Sequence, residues 1–335
     1  MPLFASKARW VTIALLFGGM IVTCLPTLAM ALSTSPTSPL SLEGKRALVT
    51  GSSGGIGAAI AVALAAQGAS VLVHYNSRYE GAKETCAAIT KQAQSAEGGR
   101  GSCEGIIQCD FRSPKAIDKM MGYIGENCWE GQPLDILVNN AGLITKMASD
   151  DDDEALSAWH DTMAVNLHAP LQLTRLAYRQ MKTDGNGGVI INVSSIHGSR
   201  SVEWMTAYAA SKAALDSLTR GLALEYADDN VRVNAVAPGI VPVERTAAVL
   251  STKEAQDMWT PHLPVGRMGS VEEIGEATVQ LCTNQWMTGT VLSIDGGMMA
   301  RANMPFRPRP PVPEPTSAGG SGVDEVCQDV AFERP

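Results

Sequence analysis

The chain has 335 residues, with 26 lysines and arginines against 34 aspartates and glutamates, a formal charge of −8, and 45% hydrophobic to 18% charged residues. That balance supports a substantial globular core, and no basic cluster is dense enough to follow a phosphate backbone, so nucleic acid is not an expected partner. Cysteines stand at 24, 86, 103, 109, 128, 282 and 327 without zinc spacing, which implies no metal site and mostly free thiols in a chain large enough to build its own core.

Lys7 and Arg9 precede an uncharged apolar run from Trp10 to Ala31 that closes on Ala29-Met30-Ala31. Residues 1–31 read as a signal peptide, with an uncleaved membrane anchor as the alternative, because the run is long enough for a bilayer core of ~30 Å. Either way the segment is an address, to the secretory pathway or an organelle such as a plastid, and a membrane is a partner only if it is uncleaved. Residues 32–41, rich in Ser, Thr and Pro, read as a flexible linker.

From 42 to about 300, short apolar runs alternate with segments of helical period, the pattern of βαβ units. Strands are expected at 46–50, 70–75, 105–109, 134–138, 188–193, 231–236 and 290–294. Each is rich in Val, Ile or Leu and bounded by turn residues, as strands buried on both faces are. The reading is an α/β fold, a doubly wound parallel sheet of the Rossmann type with about seven strands in a single domain. Helices are expected from Ala58 to Gln67, stopped by Gly68, and from Asp150 through Arg179, where the acidic run at 150–154 suits the positive end of a helix dipole. The segment from Glu244 to Pro264 is helical in pattern. A sequon, Asn192-Val193-Ser194, falls inside an expected buried strand, which argues against folding in the endoplasmic reticulum lumen. Residues 301–335, with six prolines from Pro305 to Pro315, read as a mobile tail.

Chemistry enters at Thr50-Gly51-Ser52-Ser53-Gly54-Gly55-Ile56-Gly57, between the first strand and the first helix. Glycines let a pyrophosphate approach the backbone, and a helix N-terminus offers unpaired N–H groups and positive dipole to it. Tyr208 and Lys212, four apart in a helical segment, share one helix face. An ammonium beside a phenol favours phenolate, which a proton donor working near neutrality needs.

These features, with Asp110 after the third strand, Asn139-Asn140-Ala141-Gly142 after the fourth, Asn166, Ser195 thirteen residues before Tyr208, and Pro238-Gly239, resemble the short-chain dehydrogenase/reductase family over residues 42–300. The resemblance implies a catalytic set of Asn166, Ser195, Tyr208 and Lys212. It also implies a nicotinamide dinucleotide held by Gly51, Ser53, Gly55, Ile56 and Gly57 at the phosphates, Asp110 at the adenine, and Asn140, Ala141 and Gly142 along the adenosine side. Tyr208, Lys212, Pro238, Gly239 and Val241 would border the nicotinamide half. At the end of the second strand Tyr75 replaces the acid that would grip the ribose hydroxyls of NAD, while Asn76, Ser77 and Arg78 can bond a 2′-phosphate, so NADP(H) is favoured and NAD(H) remains possible. Val243 stands where many relatives carry a threonine for the carboxamide. The segment 244–264 would be the substrate lid.

The expected function is an NADP(H)-preferring oxidoreductase that interconverts a carbonyl and a secondary alcohol, with Tyr208 as proton donor and acceptor, acting on a small molecule as a homodimer or homotetramer. A ketoacyl thioester, sugar or polyol, steroid or pterin would all fit. The alternative is a non-catalytic NAD(P)-binding redox sensor, although such relatives typically lack the tyrosine or lysine that this chain keeps.

Overall fold

The first strand after the linker, β1 (Arg46–Val49), is three parts buried, and its two neighbours lie parallel to it: β2 (Ser70–Tyr75) on one side and β4 (Ile136–Asn139) on the other. In the computed structural model, which describes residues 42–94, 101–145, 152–183 and 185–300, these belong to a seven-stranded sheet. The other strands are β3 (Ser102–Gln108), β5 (Gly188–Val193), β6 (Val231–Pro238) and β7 (Val291–Ile294), in spatial order β3-β2-β1-β4-β5-β6-β7, every pairing parallel. The order reverses between β1 and β4, and a doubly wound sheet opens its ligand crevice outside the carboxyl ends of the strands at such a point. The N-terminal apolar run, the linker and the proline-rich tail lie outside the described residues.

Strand alternation sends side chains to two cores. Leu48, Leu72, Leu137 and Ile190 join α3 (Pro114–Asn127), α5 (Ala169–Met181) and α6 (Thr206–Glu225) on one face. Val49, Val71, Val138 and Ile191 join α1 (Gly55–Ala66), α2 (Tyr79–Ala93) and α9 (Val271–Thr283) on the other. With both faces covered, the strands read as continuous apolar runs, which is why they were legible.

One expectation changes. The single helix expected from 150 to 179 is instead α4 (Asp152–Met163), a π-helical turn at Ala164–His168, and α5, with Pro170 in the first turn of α5. A proline ring clashes with the carbonyl four residues back, here that of Asn166, and widening the turn relieves the clash. Among the described cysteines, Cys86 of α2 and Cys103 of β3 form a disulfide, while Cys109, Cys128 and Cys282 are free and buried, in keeping with mostly free thiols. The sequon asparagine, Asn192, is buried in β5 and bonded to Asn139 and Thr219, so it offers no glycosylation site. The segment 244–264 folds as α7 (Glu244–Leu250) and α8 (Lys253–Trp259), separated where Thr252 caps α8.

Candidate active site

A cleft of about 660 Å³ runs along the carboxyl ends of the strands. At its centre is the turn after β1. Gly51 has φ +63° and a side chain there would strike the Ala141 backbone at 2.8 Å; at Gly57 a Cβ would lie 2.3 Å from Asn140 Nδ2. Only glycine fits at either position. The turn is held from behind: Thr50 Oγ1 accepts the N–H groups of Asn140 and Ala141 at 2.9 and 3.0 Å, and Asn140 Nδ2 donates to the carbonyls of Thr50 and Gly51 at 2.8 and 3.1 Å.

His74 completes this frame. The Gly51 N–H donates to His74 Nδ1 at 2.9 Å, so Nε2 carries the proton and bonds the Cys109 carbonyl at 3.1 Å. The ring stacks on Phe111 at 4.3 Å, and burial pushes its pKa down to about 4. Sequence reasoning assigned His74 no role; the signal was a lone imidazole inside an otherwise apolar strand. Tyr75, which the sequence reading placed at the cofactor, does not line the cleft. It follows His74 on the strand and so points to the opposite face, where it packs against the core beneath α1 and α2 and against the Tyr79 ring.

The other expected contacts lie mostly along the cleft. Gly51, Ser53, Gly55, Ile56 and Gly57 line it with Asn76, Ser77, Arg78 and Asp110, as do Asn140, Ala141 and Gly142. Asp110 is gripped by Arg112, Nη2 to Oδ2 at 2.7 Å, which holds its carboxyl below the usual range. Arg78 Nη1 is paired with Glu244 of α7 at 2.6 Å across the cleft.

At the far end Ser195, Tyr208, Lys212, Pro238, Gly239 and Val241 face the same space. Tyr208 and Lys212 project from α6, and Lys212 Nζ stands 5.6 Å from the Tyr208 ring centre, donating to the Val193 carbonyl at 2.7 Å. Burial brings the Lys212 pKa down to about 8, opposed by the charge of Asp216 one turn on. Tyr208 does not have the lowered pKa expected from a neighbouring ammonium. Burial pushes it up, and a hydrogen bond with Ser195 and the charge of Arg245 oppose that push. Ser195 and its neighbour Ser194 both border the cleft; Ser195 is the one whose hydroxyl acts on the Tyr208 phenol, and Ser194 lies against Asp216.

Asn166 sits in the π-helical turn, fully buried, and does not line the cleft. Its Oδ1 accepts the Leu143 N–H at 2.7 Å, and its Nδ2 donates to the Leu143 carbonyl at 2.9 Å and to Ser211 at 3.1 Å. It ties the loop following Gly142 to the helix that carries Lys212. Of the expected lid, Glu244, Arg245, Thr246 and Leu250 line the cleft and α8 does not.

A sheet of this order with a glycine-rich turn at its switch point and a tyrosine, lysine and serine at the other end of one crevice defines a dinucleotide-dependent oxidoreductase. The family model described as enoyl-(acyl carrier protein) reductase matches residues 51–299. A 3β-hydroxysteroid dehydrogenase of Eggerthella lenta is 36% identical over 261 residues, covering 77% of this chain and 94% of that protein. A 2-dehydro-3-deoxy-D-gluconate 5-dehydrogenase of Bacillus subtilis is 34% identical over 263 residues, covering 78% of this chain and 97% of that one. Among solved structures, a gluconate 5-dehydrogenase of Burkholderia cenocepacia in complex with NADP and tartrate superposes with a TM-score of 0.68 at 27% identity, over 78% of this chain and 98% of that one. The chain belongs to the short-chain dehydrogenase/reductase family and is an NAD(P)-dependent oxidoreductase acting on CH–OH groups.

Proposed function

We propose that this enzyme interconverts a carbonyl and a secondary alcohol with a preference for NADP(H). The observation that carries the reading is the single cleft with the glycine-rich turn and Arg78 at one end and Tyr208, Ser195 and Lys212 at the other. The glycine-rich turn fits a dinucleotide, since Gly51 and Gly57 leave backbone where a Cβ would collide and α1 offers its first N–H groups there. Ser53, Gly55 and Ile56 would hold the pyrophosphate, Ser77 and Arg78 the 2′-phosphate, Asp110 the adenine, and Lys212 and the backbone near Val241 the nicotinamide half. When bound, the nicotinamide supplies or accepts the hydride.

The chain's own groups manage the proton. Ser195 orients the substrate oxygen against Tyr208, whose hydroxyl donates to that oxygen in reduction and accepts from the alcohol in oxidation. Lys212 is a buried cation beside the phenol and stabilises the phenolate left after proton transfer, an effect strengthened once water is displaced from the cleft. Asn166 acts as a positioning residue, fixing Leu143 and Ser211 around that lysine. The presence of both the tyrosine and the lysine also favours a catalyst over a sensor.

The test is a panel of ketoacyl thioesters, sugars and polyols, steroids and pterins followed by NADPH absorbance, with Tyr208→Phe alongside. The expected result is turnover of at least one class, lowered about 10³-fold or more in the variant while NADPH binding persists. A variant that keeps more than a few per cent of the rate removes Tyr208 from this role.

The proposal extends to the rest of the chain. Residues 1–31 are read as an address and 32–41 as its linker, on the strength of the charge-flanked apolar run, and expression of 42–335 as an NADPH-binding protein would support that. Assembly as a homodimer or homotetramer is supported by β7 being an edge strand of the sheet among the described residues and by Trp286, which is 96% exposed, and light scattering of the purified protein decides it.

A further inference from the structure

Glu244 was not among the residues expected at the cofactor, yet it occupies the place where an anion would bind. Its Oε2 accepts from Arg78 Nη1 at 2.6 Å, and its Oε1 lies 3.4 Å from the Gly55 N–H, the first amide of α1. The point where Gly54 would carry a Cβ lies 2.4 Å from Glu244 Oε2 and 2.7 Å from Arg78 Nη1, so carboxylate and guanidinium close over the glycine-rich turn together. These two donors, a guanidinium and a helix N-terminal amide, are the ones assigned above to the phosphates of a dinucleotide. An intramolecular carboxylate thus mimics the anion that the site is built to receive.

We propose that Glu244 is a cofactor-specificity residue, its carboxylate competing with a ribose 2′-phosphate for Arg78. The inference rests on the dinucleotide placement of the preceding subsection. NADPH entering along Arg78 has to break the Arg78–Glu244 pair and displace the start of α7. NADH has no 2′-phosphate and leaves the guanidinium to Glu244. The pair is weak enough to be displaced, since both side chains are 56% exposed and exposed ion pairs are screened by water and salt. Arg78 favours NADPH and Glu244 opposes it, so the measured preference is the balance of the two. Because Glu244 opens α7, whose Arg245 faces Tyr208, the same displacement also moves a wall of the substrate end.

The experiment is fluorescence titration of NADPH and NADH into the full chain and into Glu244→Gln and Glu244→Ala, both at an exposed position, each with and without Arg78→Ala. The expected result is about tenfold tighter NADPH in either Glu244 variant, with a clearly smaller gain for NADH, which shares only the Gly55 amide that Glu244 approaches at 3.4 Å. In the Arg78→Ala background the gain specific to NADPH should vanish, because no guanidinium is left for the carboxylate and the 2′-phosphate to compete for. An equal change for both cofactors, no change, or an NADPH-specific gain that survives Arg78→Ala overturns the inference. Wild-type protein that binds neither dinucleotide overturns the placement beneath it, a failure distinguishable from the others.

Discussion

The two walls of the cleft are built from different physics. Around the glycine-rich turn Thr50, Asn140 and His74 are joined by hydrogen bonds of 2.8–3.1 Å, with Thr50 and His74 buried. The facing helix α7 buries no residue, and its Arg78–Glu244 tie across the cleft is exposed on both sides. Buried hydrogen bonds are costly to break because the orphaned group has no water to turn to, whereas an exposed ion pair exchanges readily for solvent or for another anion. The contrast assigns rigidity to the wall that shapes the phosphate turn and exchange to the wall over which ligands pass.

The largest effect that would test this division is expected at Thr50. Thr50→Val keeps the shape but leaves the Ala141 N–H without its acceptor and the Asn140 N–H with only its longer bond to the Val138 carbonyl, at a cost of about 1–3 kcal/mol in unfolding free energy. Urea denaturation measures it, and a loss below about 0.5 kcal/mol would show that water reaches the turn and that the wall is not rigid.

Next comes His74. Its pKa is depressed from 6.5 to about 4 in the folded chain, mainly by burial, so between those values the unfolded chain binds a proton that the folded one refuses. The contribution is therefore fully present above about pH 6.5 and is lost as the pH falls toward 4, by up to about 3 kcal/mol. Comparing urea midpoints at pH 7 and 4.5 for wild type and His74→Gln should show a flatter pH dependence in the variant. Equal slopes would mean that other groups carry the acid sensitivity.

The smallest effect is expected at Arg78. Arg78→Ala should weaken NADPH by about tenfold and NADH by little, with unfolding free energy within about 0.5 kcal/mol of wild type, since only an exposed pair is lost. Binding titrations and denaturation together check both halves. A marked loss of stability would erase the distinction between the two walls.

Much of the site was legible because it depends on local spacing. Tyr208 and Lys212 meet because four residues make a helical turn, and Gly51 to Gly57 sit where β1 hands over to α1. Tyr75 does not line the cleft, since its place at the strand end does not by itself say which face it takes. Asn166, expected in the catalytic set, lies behind the cleft in the π-helical turn ahead of Pro170, bonded to Leu143 and Ser211. The lowered Tyr208 pKa was expected from an ammonium at four-residue spacing; with Lys212 turned onto the Val193 carbonyl, burial dominates instead.

By itself, then, the sequence determined the alternation of strands and helices, the switch-point turn and the residues at each end of the cleft, since periodicity and glycine placement act over a few residues. Only the tertiary structure decided that His74 receives the Gly51 amide, that Asn140 spends its side chain on the turn, that Cys86 bonds Cys103, and that Glu244 reaches Arg78. The last of these joins positions 166 residues apart. Such pairings are set by where whole elements pack against the sheet, and no local period in the chain encodes them.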